Sequence, residues 1–173
     1  TMKKLFFAAL GLLCLASCAK QPCCQLEHPC YAYDATIYEL NTRQLTPEGT
    51  FKAAEAVLPE LKELGVDIIW IMPIQKIGEL ERKGTLGSYY AITDYCQFNP
   101  EFGTRADFEH FLAEAHKLGL KVILDWVANH TAPDSEWTKN EGWHYRDSLG
   151  NLMVQYDWTD ISKLDYHNQD MRN

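Results

Sequence analysis

The stretch Lys121-Val122-Ile123-Leu124 runs directly into Asp125-Trp126-Val127-Ala128-Asn129-His130, and this junction decides the fold. The first four residues form a short, mostly apolar run, which predicts a buried strand. The next six bring an acid, an amide and an imidazole to one end of that strand. A packed core does not require such groups, because each buried polar group left unpaired costs about 1–3 kcal/mol. The junction therefore predicts a functional edge where the strand ends.

From Ala35 onward the chain alternates between predicted strands and predicted helices. Such alternation is typical of an α/β fold whose parallel strands are covered on both faces. Apolar residues recur at helical spacing in two segments, and short apolar runs lie before, between and after these segments. The predicted strands are 36–40, 67–72 and 121–125, and the predicted helices are 51–64 and 104–118, with a third helix opening within 166–173.

Local signals mark the ends of these helices. Pro59 lacks a backbone N–H and is expected to kink or break the first helix. Gly65 and Gly119 each follow a helical segment and are predicted C-terminal caps. The run Thr104-Arg105-Ala106-Asp107 has the form of a capping box at the start of the second helix.

The joints between the predicted elements differ greatly in length. The helices return to the strands through Gly65-Val66 and Gly119-Leu120, whereas the strand-to-helix connections are long, and we expect the stretch 73–103 to be irregular. In a (β/α)8 barrel this asymmetry places the elaborated loops at the carboxyl ends of the strands, where function lies. The predicted fold class is therefore α/β, a partial (β/α)8 TIM barrel of about three β/α units that stops before a fourth strand.

The acidic balance of the chain limits its partners. The 173 residues carry a formal net charge of −8, and no basic block is present to neutralise phosphates. We therefore expect no nucleic-acid partner. Hydrophobic residues make up 46% of the chain, which is sufficient for a packed core.

The N-terminal region is expected to be separate from the barrel. Residues 1–17 combine a basic start, an apolar run and small residues, which is typical of a secretory signal. Leu15-Ala16-Ser17-Cys18 resembles a bacterial lipobox, which implies lipidation of Cys18, and an ordinary cleaved signal is the alternative. Residues 18–34 would then be a tether. The expected localisation is that of an exported bacterial lipoprotein, anchored in the membrane at the periplasmic face or the cell surface.

The cysteines cluster near this tether. Their spacing does not fit paired zinc knuckles. Export permits disulfides, and a pair among Cys23, Cys24 and Cys30 is one expectation. Cys96 stands alone and is expected to be a buried free thiol.

Four motifs occur in order along the chain: 65–74 (GVDIIWIMPI), 87–95 (GSYYAITDY), 99–104 (NPEFGT) and 125–130 (DWVANH). Together they resemble glycoside hydrolase family 13, the α-amylase family. The match covers about residues 35–173, and the Asp-x-Val-x-Asn-His motif after a strand is its most specific part. The resemblance implies that residues 35–173 form the N-terminal part of the catalytic barrel, including the loop insert after strand 3.

The resemblance implies roles for four residues. Tyr90 matches the tyrosine that stacks on the sugar in the subsite next to the cleaved bond, and Tyr89 is the alternative. His130 matches a histidine that hydrogen-bonds a hydroxyl of that sugar, and Asp125 matches an aspartate that braces the site. Asn129 matches a calcium ligand, since amide oxygens suit this hard cation, and a loop-fixing amide is the alternative.

The resemblance also implies what the chain lacks. Retaining glycosidases use two carboxyl groups about 5 Å apart, and in this family these follow the fourth and fifth strands. No Gly-Phe-Arg-x-Asp run occurs in the sequence, so the fragment alone is expected to be inactive.

The expected function is that of an N-terminal fragment of a secreted, retaining hydrolase of α-glucosidic bonds in starch-like glucans. One alternative is a non-catalytic glucan-binding surface protein, and another is a transglycosylase or isomerase of the same family. A further alternative is an unrelated barrel enzyme for phosphorylated metabolites, which predicts a glycine-rich phosphate loop late in the chain.

Overall fold

The structure, a computed structural model, describes residues 28–173. The strands are β1 (Ile37–Leu40), β2 (Ile68–Ile71), β3 (Gln75–Ile77), β4 (Ile92–Phe98), β5 (Lys121–Leu124), β6 (His130–Thr131) and β7 (Ser162–Lys163). The α-helices are α1 (Thr42–Leu45), α2 (Phe51–Glu55), α3 (Leu58–Glu63), α4 (Arg105–Lys117) and α5 (Gln169–Arg172), and 3-10 turns lie at Cys30–Ala32 and Glu136–Lys139.

The described residues fall into two units, 28–35 and 36–173. In the described part of the first unit, Cys30 is disulfide-bonded and opens a 3-10 turn. The predicted signal 1–17, the lipidation residue Cys18 and the cysteines Cys23 and Cys24 lie outside the described residues. Within residues 28–173, no helix has the length and apolar character needed to cross a membrane.

The centre of the second unit is a three-stranded parallel sheet in the order β1-β2-β5. Leu40, Ile71 and Leu124 are aligned across the three strands. The residues that follow each strand therefore leave the sheet at one edge, and Asp125 is among them. The predicted α/β arrangement of three parallel strands is confirmed.

The first predicted helix is broken, as expected. Helix α2 ends at Glu55 and α3 begins at Leu58, with Pro59 in the first turn of α3. Proline is tolerated there because the first N–H groups of a helix have no intrahelical partner. After α3, Gly65 adopts φ +91°, and Val66 N donates to Leu61 O at 3.1 Å. This closes the helix in the left-handed conformation that glycine allows.

The capping box at the start of α4 is also confirmed. Thr104 Oγ1 accepts from Asp107 N, and the Asp107 carboxylate accepts from Thr104 N at 2.8 Å. The hydrogen bonds from Thr104 lower the pKa of Asp107. The cap satisfies backbone donors at the helix start that have no intrahelical acceptor.

The core lies between one face of the sheet and the helices. Leu40, Ile69 and Ile71 are buried on that face, and a group of phenylalanine rings packs beneath α2 and α4: Phe51, Phe98, Phe102, Phe108 and Phe111. On the opposite face the large apolar side chains Ile37, Trp70 and Ile123 are exposed. Because side chains alternate along a strand, these three residues share that face.

Three predictions were wrong. Strand β5 forms but is not buried: Val122 is half-buried and Ile123 and Leu124 are exposed, because β5 is an edge strand of the described sheet. Residues 73–103 are not irregular throughout, because β3 and β4 form an antiparallel hairpin with two register shifts. The alternation along β4 is weak, since most of its side chains are only half-buried, and this hid the strand. Cys96 on β4 is exposed, not buried, because it lies on the solvent side of this hairpin.

Candidate functional site

A cleft of about 400 Å³ lies above the carboxyl end of β5, between the two long loops. Its shape depends on short strands within those loops. Strand β6 pairs with β7, and Ala132 N donates to Ile92 O at 2.7 Å, which fixes β6 beside β4. The cleft lining includes Lys83, Ser88, Tyr90, His130, Trp158 and Asp160.

Tyr90 and Asp125 are joined by a hydrogen bond. The Tyr90 hydroxyl donates to Asp125 Oδ2 at 3.0 Å. Burial, followed by this bond, raises the pKa of Tyr90 to about 12, so the phenol remains protonated as a donor. Asp125 thereby fixes the tyrosine ring in the cleft from the end of β5.

Tyr89 has a different environment. Its hydroxyl accepts from Asn41 Nδ2 at 3.0 Å, and the Arg43 guanidinium carbon lies 4.4 Å from its ring centre. Its ring packs against the main core. Of the two tyrosines that the sequence left open, only Tyr90 lines the cleft.

His130 is buried beside Tyr90, and both of its ring nitrogens have partners. Nδ1 lies 2.9 Å from Asn129 Nδ2, and Nε2 lies 3.0 Å from the carbonyl oxygen of Tyr90. Burial lowers the pKa of His130, which favours the neutral ring. A carbonyl only accepts, so Nε2 carries the proton and Nδ1 accepts from the Asn129 amide. Tyr90, His130 and Asp125 are therefore in one place, as the sequence argument required.

A buried hydrogen-bond network supports the loop that carries His130. The Tyr95 hydroxyl lies 2.7 Å from Val127 O and 2.8 Å from His130 O. Thr131 Oγ1 donates to Ala132 O at 2.9 Å and accepts from His144 Nε2 at 2.9 Å. Burial lowers the pKa of His144 to about 4, so this ring is neutral at pH 7. The site thus depends on polar contacts between residues distant in sequence.

Asn129 does not lie within a recognisable set of calcium ligands. Its side-chain nitrogen donates to His130 Nδ1, and its backbone oxygen accepts from Leu164 N at 3.1 Å. Residues 28–173 contain no group of three or more His, Cys, Asp or Glu side chains placed to hold a metal ion. Calcium requires about six to eight oxygen ligands. The described residues offer no cluster of acidic side chains for the ion, and calcium binding at Asn129 stays a prediction.

Sequence reasoning missed part of the cleft. Lys83 Nζ lies 3.3 Å from Asp160 Oδ1, and the edge of Trp158 faces His130 at 6.4 Å between ring centres. Because Lys83 and Asp160 meet through tertiary folding, no local spacing in the sequence signals their contact.

The cleft combines aromatic side chains with hydrogen-bonding groups. Tyr90 and Trp158 supply the aromatic surfaces, and Ser88, Lys83 and Asp160 supply donors and acceptors. This arrangement suits a ligand with apolar faces and a polar rim, such as a pyranose ring. Asp125 is bonded to Tyr90, and Asp160 is paired with Lys83. Asp160 is the one carboxylate among the described residues that line the cleft.

The fold and the cleft define an α/β protein with a binding site at the carboxyl ends of parallel strands. The chain belongs to the family described as "Alpha amylase, catalytic domain", whose model matches residues 34–167. This membership confirms the resemblance to the α-amylase family.

Similar proteins carry related names. The chain is 47% identical to an α-amylase from Lactobacillus plantarum of known structure, with a TM-score of 0.77, covering 79% of this chain and 33% of that one. It is 43% identical to an α-glucosidase from Pediococcus pentosaceus over 58% of this chain and 18% of that protein. It is also 41% identical to a trehalose-6-phosphate hydrolase from Bacillus subtilis over 57% of this chain and 15% of that protein. The chain thus spans between 15% and 33% of the length of these three relatives.

Proposed function

We propose that this chain is the N-terminal part of a retaining glycoside hydrolase that acts on α-glucosidic bonds in starch-like glucans. The observation that carries the proposal is that Tyr90, in the cleft of an α-amylase-family chain, contacts both Asp125 and His130. The nucleophile and the acid/base would come from a part of the enzyme outside these 173 residues.

Each of the three residues has a task in this proposal. Tyr90 presents its ring to the sugar, where a flat surface complements a glycosyl ring that flattens toward an oxocarbenium ion. Asp125 holds the phenol and thereby sets the ring angle. His130 has its Nε2 proton directed at the Tyr90 carbonyl, and a sugar hydroxyl that approaches this proton competes for it.

The proposal can be tested by measuring glucan binding to the full chain, which does not require catalytic activity. In isothermal titration calorimetry with maltotriose, we expect binding, and we expect Tyr90→Ala to weaken it at least about tenfold, or ~1.4 kcal/mol. Tyr33→Ala is the matched control, since Tyr33 is an exposed tyrosine of the other unit. Equal affinity of the Tyr90→Ala variant and the wild-type chain would contradict the proposed site.

The same preparation tests the expected inactivity. Because no carboxylate pair lies in the described cleft, the chain should release no reducing sugar from maltotriose that it binds. A non-catalytic glucan-binding protein is the second candidate. It predicts the same lack of product, so this assay does not distinguish the two candidates. Two carboxylates after the next strands of a longer protein would favour the hydrolase over the binding protein. The products of that longer protein would distinguish hydrolysis from glycosyl transfer or isomerisation.

We also propose that the protein is exported and anchored to the membrane through a lipid on Cys18, with 18–34 as the tether. The support is the lipobox-like run 15–18 after a basic and apolar start. Metabolic labelling with a radioactive fatty acid should mark the wild-type chain and leave Cys18→Ser unlabelled, with Cys96→Ser as the matched control. Fatty-acid labelling of the Cys18→Ser variant would contradict this proposal.

A further inference from the structure

Lys83 and Asp160 form an ion pair within the cleft. Lys83 Nζ lies 3.3 Å from Asp160 Oδ1 and 3.4 Å from the backbone oxygen of Asp157. The Asp160 side chain is 7% exposed, whereas that of Lys83 is 48% exposed. The ammonium group therefore neutralises a buried carboxylate and still meets solvent at the cleft.

The pair shares the cleft with the residues of the proposed sugar site. Tyr90, His130 and Trp158 line the same space. Burial lowers the pKa of His130, and the hydrogen bond to the Tyr90 carbonyl and then the negative charge of Asp160 oppose this effect. A ligand that contacts Tyr90 and His130 is thus within the field of Asp160.

The charge balance distinguishes two kinds of sugar ligand. Among the described residues that line the cleft, Lys83 is the one permanent cation, and Asp160 already compensates it. A phosphate group carries about two negative charges at pH 7 and is usually bound by uncompensated cations or backbone N–H groups. Here it would meet Asp160 as well as Lys83. A neutral hydroxyl has no such conflict, since it donates to a carboxylate and accepts from an ammonium group.

We propose that the Lys83–Asp160 pair binds hydroxyl groups of an uncharged sugar and thereby selects neutral glucans against sugar phosphates. This inference rests on the proposed function and names the substrate class of the same site. Asp160 accepts from a sugar hydroxyl through a carboxylate oxygen, and Lys83 donates to a neighbouring hydroxyl. The pair acts as a specificity determinant and takes no part in bond cleavage.

The test compares maltose with maltose 1-phosphate, two probes that differ by one phosphate, in titrations of the full chain. Wild-type chain is expected to bind maltose at least about tenfold more tightly. The isosteric Asp160→Asn variant removes the repulsive charge and leaves Lys83 uncompensated, so the preference for maltose should fall at least about tenfold. The double variant Lys83→Met/Asp160→Asn should lose about tenfold in maltose affinity.

A matched control and a salt series complete the experiment. Lys62→Met/Asp67→Asn alters another Lys–Asp pair of the same unit, with its charges 4.0 Å apart, and should leave both affinities unchanged. If a cleft variant does not unfold cooperatively, the relative affinity of the wild-type chain for maltose and maltose 1-phosphate still tests the inference. Maltose affinity should be insensitive to salt, because the ligand is uncharged, whereas an affinity for the phosphate that falls with salt would reveal a cationic site.

The outcomes separate the two proposals. Tighter binding of maltose 1-phosphate by the wild-type chain would overturn the inference, as would unchanged maltose affinity in the double variant. In both cases sugar binding itself, and with it the proposed function, would stand. Failure of the wild-type chain to bind either sugar would overturn the proposed function and the inference that rests on it.

Discussion

The helix–sheet layer and the loops beyond it are stabilised in different ways. In the layer, β1, β2 and β5 pack apolar side chains against α2–α4, and residues such as Ile69 and Leu120 are fully buried. In the loops, residues such as Tyr95, Thr131 and His144 hold the chain through buried hydrogen bonds. Apolar contacts are non-directional, whereas hydrogen bonds require particular partners. The layer therefore sets the fold, and the loops set the site.

The largest effect should come from removing apolar volume in the layer. Leu120 is 0% exposed and lies outside any helix or strand. Leu120→Ala leaves a cavity and should lower the free energy of unfolding by about 2–5 kcal/mol. Leu149→Ala is the matched control, because Leu149 also lies outside helices and strands but is 84% exposed, and its effect should stay within about 0.5 kcal/mol. Urea denaturation measures both, and similar losses in the two variants would contradict the comparison.

The loops contain a buried histidine whose titration should make stability depend on pH between about 6.5 and 4. His144 is 4% exposed, its Nδ1 has no hydrogen-bond partner, and burial, followed by the charge of Arg146, lowers its pKa from 6.5 to about 4. The unfolded state therefore binds a proton that the folded state does not bind between these two values. Stability should be complete above pH 6.5, fall as the pH drops toward 4, and lose at most about 3 kcal/mol from this group.

The variant His144→Gln tests this assignment. It removes the titrating ring but keeps a donor for Thr131, so the loss of stability between pH 6.5 and 4 should become smaller. His130 has a pKa shifted in the same direction and should account for part of the slope that remains. Exposed His116 on α4 provides the matched control, His116→Gln. An unchanged pH profile in His144→Gln would show that the loops do not depend on the neutral ring.

The sequence predicted the layer far better than the site. Helical spacing, Pro59 and the Thr104–Asp107 box are local signals, and all three were confirmed because nearby residues decide them. The hairpin of β3 and β4 was missed, since β3 is only three residues long and the side chains of β4 do not alternate clearly between buried and exposed. Asp125 and His130 were found through their position after a strand, but the contact between Lys83 and Asp160 depends on how two distant loops fold together.

A smaller effect is expected at Tyr95, which supports the His130 loop. Tyr95→Phe leaves Val127 O and His130 O without their shared hydroxyl partner and should cost about 1–3 kcal/mol. Hydrogen exchange should accelerate at the amides of residues 127–131 more than at those of β2. The control Tyr156→Phe removes a hydroxyl from a residue that is 77% exposed and should change neither region. Equal acceleration in β2 would show that the loops and the layer unfold as one unit.

The smallest effect should come from a polar contact at the edge of the layer itself. Thr104→Ala removes the oxygen that accepts from Asp107 N and should cost about 1 kcal/mol by thermal or urea unfolding, whereas Thr104→Ser keeps the cap and should cost less. The loss is small because α4 is also held by Phe108, Phe111 and Ala115, which are buried in the core. The Tyr95 hydroxyl has no comparable apolar substitute for its two carbonyl contacts. If Thr104→Ala costs more than Tyr95→Phe, directional hydrogen bonds matter as much in the layer as in the loops, and the distinction between the two regions fails.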